Sequence, residues 1–159
     1  MSVSRAWLSL SALLLACGST TSPCGPTSGE VVNVVDGDTI DLKTGERIRY
    51  LLVDTPETTS GKNDCYGQEA VARNRALVLN KNVTLKYDTE CKDRFGRLLA
   101  YVSVGAVEVN RTLVDEGLAC VLYVAPSGKS REDEFVGYEL AAKSDRKGMW
   151  GSCTVIACD

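Results

Sequence analysis

The chain has 159 residues, 44% of them hydrophobic and 25% charged, enough for one soluble domain with a buried core. Its net charge of −3 excludes a protein that holds nucleic acid through a broad basic surface, while leaving room for a local basic patch. It contains no histidine, which excludes Ser-His-Asp hydrolases, histidine-based nucleases and histidine-ligated zinc.

Taken in chain order, residues 1–16 read as an export signal. Arg5 is their single charge, and the apolar run from Ala6 to Ala16 is too short to span a bilayer as a stable helix. The run ends Leu14-Leu15-Ala16-Cys17-Gly18, the pattern of a bacterial lipoprotein box in which Cys17 carries the lipid. Cleavage at Ala16-Cys17-Gly18 to release a soluble secreted protein is the alternative, and cytosolic retention the third reading. Residues 17–29 are rich in Ser, Thr, Gly and Pro and are expected to be a flexible linker.

Strand patterning starts at Glu30, with Val31, Val32, Val34 and Val35. Thr39 to Leu42 and Glu46 to Val53 flank the turn Lys43-Thr44-Gly45, a hairpin signal. Gln68 to Leu79 has helical spacing of apolar residues. Val83, Leu85 and Tyr87 alternate with polar residues as a fourth strand, and Leu98 to Val104 gives a fifth. Val109 to Glu116 is a short helix stopped by Gly117. Ser130-Arg131-Glu132-Asp133 resembles a capping box that opens a third helix, which Lys143, Arg146 and Lys147 close and in whose end Trp150 packs. The expected class is α+β: a five-stranded oligonucleotide-binding (OB) barrel with three helices over residues 30–152, then a tail at 153–159.

Of the seven cysteines, setting Cys17 aside leaves an even six, Cys24, Cys65, Cys91, Cys120, Cys153 and Cys158. In an exported protein these allow up to three disulfides, and the sequence alone leaves every connectivity open. There is no CxxC pair, so a zinc ribbon is not expected.

Chemistry concentrates in three segments. Val35-Asp36-Gly37-Asp38-Thr39-Ile40 and Arg49-Tyr50-Leu51-Leu52-Val53-Asp54-Thr55-Pro56-Glu57 bring carboxylates and an arginine to strand ends. Asp93-Arg94-Phe95-Gly96-Arg97 adds further arginines. Carboxylates hold a hard metal ion and activate water, and a guanidinium fork matches phosphate oxygens. Without histidine, a general base must be a carboxylate or, less favourably, lysine or tyrosine. The set reads as a metal-dependent phosphodiesterase.

These segments, with Tyr66-Gly67-Gln68-Glu69-Ala70, Leu98-Leu99-Ala100-Tyr101, Asn110 and Gly117-Leu118-Ala119, give the chain from about Val31 to Trp150 a clear resemblance to the staphylococcal nuclease (thermonuclease) family. The resemblance implies Ca2+ on Asp38, Asp54 and the Thr55 carbonyl. It implies Glu57 as the residue that activates water, and Arg49 and Arg97 as catalytic phosphate ligands. Arg94 and Tyr123 fall where the family contacts the nucleotide; Phe95 replaces a tyrosine, and Ala125 stands where a second tyrosine is found. The implied activity is an exported, calcium-dependent nuclease that hydrolyses DNA and RNA to 3′-phosphate products. The chain is expected to act as a monomer, without a protein partner, touching membrane through a lipid on Cys17. On the same resemblance Cys65 pairs with Cys91. Cys120 with Cys153 follows if the last helix folds back over that region, which leaves Cys24 with Cys158. The alternative function is an OB module that binds nucleic acid without cutting it.

Overall fold

The computed structural model describes residues 21–158; the export segment, Cys17 and Asp159 lie outside the described residues. A small ladder of β1 (Thr21–Ser22) and β2 (Gly25–Pro26) precedes the main sheet. Then β3 (Ser28–Val34), β4 (Thr39–Leu42) and β5 (Arg47–Tyr50) form an antiparallel meander. Helix α1 (Gly67–Val78) leads to β6 (Asn82–Lys92), which pairs with both β3 and β7 (Leu98–Val104). The sheet closes where β5 lies parallel to β7, with Ile48 opposite Leu98 and Tyr50 opposite Ala100. Those five strands are the expected barrel. A short β8 (Val107–Glu108) extends its edge beside β7.

The closure follows from period-two burial of Ile40 and Leu42, Ile48 and Tyr50, Val83 and Leu85, and Leu98, Ala100 and Val102. In β3 an irregular register between Val31 and Asn33 shifts the alternation, so Val31 and Val34 are both buried although three residues apart. Each valine, leucine or isoleucine among them contributes about 1.5–3 kcal/mol on leaving water. Helix α1 buries Ala70, Asn74 and Val78 at four-residue steps. Helix α2 (Val109–Asp115) buries Asn110, whose amide nitrogen donates to the Leu51 and Ala100 carbonyls while its oxygen accepts from Val102 N–H. That one side chain ties α2 to β7 and to the residue that directly follows β5, beside the barrel closure. Helix α3 (Glu132–Ser144) packs on α2 and buries Phe135, whose ring lies 6.1 Å from that of Tyr101, and Ala142.

Several expectations need correction. The strand expected over Glu46 to Val53 stops at Tyr50, because Leu52 takes a left-handed backbone with φ 59°. The kink turns the chain so that Asp54 pairs with Cys120 instead of continuing the sheet. Strand β6 outruns its expected end at Tyr87, reaching Lys92 through an irregular register with β7. The capping box is not formed: α3 starts after a 3-10 turn over Lys129–Arg131, and Arg131 caps it without a side-chain bond. Arg131 instead grips Glu108 and Glu134. Trp150 lies not at the end of α3 but in a separate turn of helix, α4 (Met149–Ser152).

All three expected disulfide pairs are wrong. Among the described residues the bridges are Cys24–Cys91, Cys65–Cys153 and Cys120–Cys158, with Cα separations of 4.9, 6.0 and 6.0 Å. The first of these also overturns the linker reading from Thr21 onward. Residues 21–26 lie against β6, fastened by Cys91 and by the Tyr87 hydroxyl donating to the Pro26 carbonyl at 2.6 Å.

Candidate active site

The kink after β5 builds the floor of a cavity of about 980 Å3. Asp38, Arg49, Asp54, Thr55, Glu57, Arg94 and Arg97 all line it, so seven of the eight protein-chemistry residues singled out in the described sequence converge there. Tyr123 is the exception. It packs at the edge of the core with the Lys129 ammonium 5.4 Å from its ring, while its neighbours Leu122 and Val124 line the cavity.

Asp38 sits at the start of β4 and is buried. Its Oδ2 accepts from Thr55 N–H at 2.9 Å and from the Thr55 hydroxyl at 3.1 Å, which locks the turn at Asp36-Gly37-Asp38 to the loop after β5. Gly37 permits this approach: a Cβ there would lie 2.5 Å from Thr55 Oγ1, against a stiff β-branched side chain. Tyr50 and Asn74 brace the turn from behind. The Tyr50 hydroxyl donates to Asn74 Oδ1, and Asn74 Nδ2 donates to the Asp36 carbonyl.

Arg49 projects from β5 with its side chain only 12% exposed. It donates to the carbonyls of Tyr50, at 3.2 Å, and Val53, and lies 3.1 Å from Asp38 Oδ1 and 3.0 Å from Asp54 Oδ1. One guanidinium therefore bridges the two carboxylates expected to hold a metal.

Glu57 is held by three donors on Oε1: the N–H groups of Thr58 and Thr59, both at 3.1 Å, and the Thr59 hydroxyl at 2.7 Å. The Thr59 hydroxyl bond, with help from the two N–H groups, outweighs partial burial and holds the carboxyl below its ordinary range. Glu57 is thus ionised at neutral pH, and Oε2 makes no hydrogen bond to a described residue. Asp64 closes the same loop, accepting from Glu57 N–H at 3.2 Å and returning its own N–H to the Glu57 carbonyl at 2.9 Å.

The third segment is the turn between β6 and β7. Gly96, with φ +82°, makes it tight, and Asp93 organises it. Asp93 accepts from the N–H groups of Phe95 and Arg97 on Oδ1, and from Arg97 Nε on Oδ2 at 2.6 Å. Burial pushes the Asp93 carboxyl up, but the bonds from Arg97 and the backbone outweigh it and hold it below the usual range. Phe95 is 68% exposed, with the guanidinium groups of Arg94 and Arg97 at 4.8 and 5.4 Å from its ring.

Sequence reasoning assigned no role to Asp36, Asp64 or Asp93. Asp36 lines the cavity, and burial followed by repulsion from Asp38 raises its carboxyl to about 7, against a bond from Asp38 N–H. The sequence signal for Asp36 and Asp93 was their presence inside the quoted motifs; for Asp64 there was none.

The donor chemistry fits a hard cation. Asp38 and Asp54 already converge on a positive charge, and Thr55 supplies a neighbouring carbonyl. Among the described residues no cluster of three or more His, Cys, Asp or Glu side chains could enclose a metal. The protein would therefore offer an incomplete oxygen shell, with places left for water and a phosphate oxygen.

Comparison with known proteins agrees with this geometry. The family model described as staphylococcal nuclease homologue matches residues 47–152. Endonuclease YncB of Bacillus subtilis (strain 168) is 41% identical over 141 residues, which cover 81% of this chain and 66% of that protein. The SPbeta prophage-derived endonuclease YokF of the same organism is 42% identical over 123 residues, covering 73% of this chain but 41% of its own length. The thermonuclease of Staphylococcus hyicus is 38% identical over 128 residues, covering 77% and 75%. The chain thus spans just under two thirds of the first of these relatives and two fifths of the second.

Proposed function

Since the chain belongs to the staphylococcal nuclease family, we propose that it is an exported, calcium-dependent nuclease hydrolysing phosphodiester bonds of DNA and RNA to 3′-phosphate products. The observation that carries this reading is the single cavity lined together by Asp38, Arg49, Asp54, Thr55, Glu57 and Arg97. Relatives named endonuclease and thermonuclease support it.

In this mechanism Arg49 and Arg97 grip the non-bridging phosphate oxygens and stabilise the charge that grows on them during attack. Glu57, ionised and held in place by Thr58 and Thr59, takes the proton of the attacking water. Its lowered basicity reduces the driving force for that transfer, and the fixed orientation compensates. As the new P–O bond to water forms, the P–O5′ bond breaks; the 5′-oxygen departs and takes a proton from solvent to become a hydroxyl, leaving phosphate on the 3′ side. Calcium held by Asp38, Asp54 and the Thr55 carbonyl would supply positive charge against the phosphate and acidify water. Bridging of both carboxylates by Arg49 keeps the site assembled between substrates.

The reading extends to export, with a lipid on Cys17 or release as a soluble monomer. Disulfides among the described residues support an oxidising compartment. Digestion of end-labelled DNA and RNA by the purified protein tests the whole. Cleavage with calcium, its loss with chelator, and 3′-phosphate ends are expected; equal cleavage in both conditions, or 5′-phosphate ends, would sink it.

A further inference from the structure

A second groove, of about 470 Å3, lies beside the active-site cavity and has no part in the mechanism above. Asp41, Gly45, Arg47, Phe95, Gly96 and Arg97 line it. Phe95 and Arg97 also line the cavity, so the two spaces meet at the turn between β6 and β7. Arg47 stands on the same face of β5 as Arg49, two residues away and so about 7 Å along the strand. Its partner across the sheet is Asp41 of β4. Arg47 donates from Nε and Nη2 to the two Asp41 oxygens, at 2.7 and 3.0 Å, and Asn33 Nδ2 donates to the same carboxylate at 3.0 Å. This row fixes the plane of the Arg47 guanidinium. The fork to Asp41 takes two of the five donors a guanidinium carries. The cation is the outer member of the pair, with 51% of its side chain exposed against 22% for Asp41.

We propose that this groove is a second phosphate site, in which Arg47 holds the phosphodiester next along the chain from the one being cleaved. The inference rests on the nuclease reading above. A polynucleotide that sets one phosphate against Arg49 and Arg97 must place the next a single nucleotide away. The continuous course out of the cavity, past Phe95 and Arg97, leads to Arg47. Arg97, shared by the two grooves, keeps positive charge along that course. A planar fork held in one orientation matches phosphate oxygens. The space beside Gly45 and Gly96 is open, since a Cβ at either would meet nothing within 4 Å. Asp41 has two opposed effects. It orients Arg47 and offsets part of its charge, so the flanking phosphate is gripped lightly and the product can leave.

Two variants test this with two substrates, an octanucleotide and a dinucleoside monophosphate, whose single phosphate can fill only the cavity. For Arg47→Met, kcat/KM on the octanucleotide should fall about fivefold relative to kcat/KM on the dinucleoside monophosphate, through KM. The slope of log KM against log salt for the octanucleotide should shrink by about 0.7, the share of one phosphate contact. Asp41→Asn removes the opposing charge and leaves Arg47 in place, so KM for the octanucleotide should fall by about twofold or more. A pair that only braces β4 against β5 would make both variants worse on both substrates alike, with the salt slope fixed, and that result overturns the proposal. An exposed ion pair adds little to stability, so both variants should fold. If Arg47→Met does not, Asp41→Asn decides alone, and an unchanged or raised KM refutes the site. A native protein that cuts neither substrate would fault the nuclease reading instead; the salt slope of octanucleotide binding, read by fluorescence anisotropy for the native protein and Arg47→Met, would then decide the site by itself.

Discussion

The cavity has two sides built on different principles. On the acidic side, Asp38, Arg49 and Asp54 hang from the closed barrel and are nearly out of solvent, fastened to one another and to Thr55. On the basic side, Arg94, Phe95 and Arg97 ride a tight turn outside the barrel, with Phe95 largely in water. The acidic side has its geometry fixed by the core and holds its charges close together at a cost. The basic side depends on a single carboxylate, Asp93, for its order. This division predicts that damage on the first side couples activity to stability, whereas damage on the second changes activity alone.

Arg49→Ala should break the comparison most visibly. It leaves the Asp38 and Asp54 carboxylates facing each other without their shared cation, at a cost on the order of 3 kcal/mol in stability. It also removes a phosphate donor worth about 10²–10³ in kcat. Thermal melts in chelator and in calcium check the first effect: the loss should shrink when calcium is present. Equal losses in both would mean the carboxylates do not share a cation site.

Asp93→Ala sharpens the other side. Without its carboxylate the Arg97 guanidinium is no longer held at 2.6 Å, and cleavage should fall by about tenfold through loss of orientation. The melting temperature should stay within a few degrees, since the turn lies outside the core. A large drop in stability with unchanged kcat would reverse the roles assigned to the two sides.

A smaller effect concerns Asp36, on the acidic side. Its carboxyl is raised to about 7 from 3.8. Between those values the folded protein keeps a proton that the unfolded chain has lost, so stability falls as pH rises through the window. Asp36→Asn should flatten that slope when melts are run in chelator from about pH 4 to about pH 8. A slope that survives the substitution would place its origin elsewhere.

How much of this was legible in the sequence follows the same division. The barrel strands were readable because one face is buried and period two is strict, as in Val83, Leu85 and Tyr87. That Asp38, Arg49, Asp54 and Glu57 would line one cavity was readable because they sit within short segments whose spacing one strand and one kink convert into proximity. The kink itself was not, because nothing in Leu51-Leu52-Val53 signals a left-handed leucine. Disulfide pairing was illegible because it depends on where distant segments come to lie: Cys24 meets Cys91 only once β6 runs past Tyr87 to Lys92. Tyr123 is not among the residues that line the cavity, whereas its neighbours Leu122 and Val124 are, a difference that no pattern in the sequence marks. The roles of Asp64 and Asp93 lie in hydrogen bonds to backbone, which a one-dimensional pattern does not display.

The account stands most directly on Glu57 as the group that takes the proton from water. The deciding measurement is the single-turnover cleavage rate of Glu57→Ala beside the native protein, at saturating calcium and with both folds verified by melting. A fall of at least about a hundredfold with little change in melting temperature is predicted. A rate within about twofold of native would contradict the account and return the cavity to a binding role.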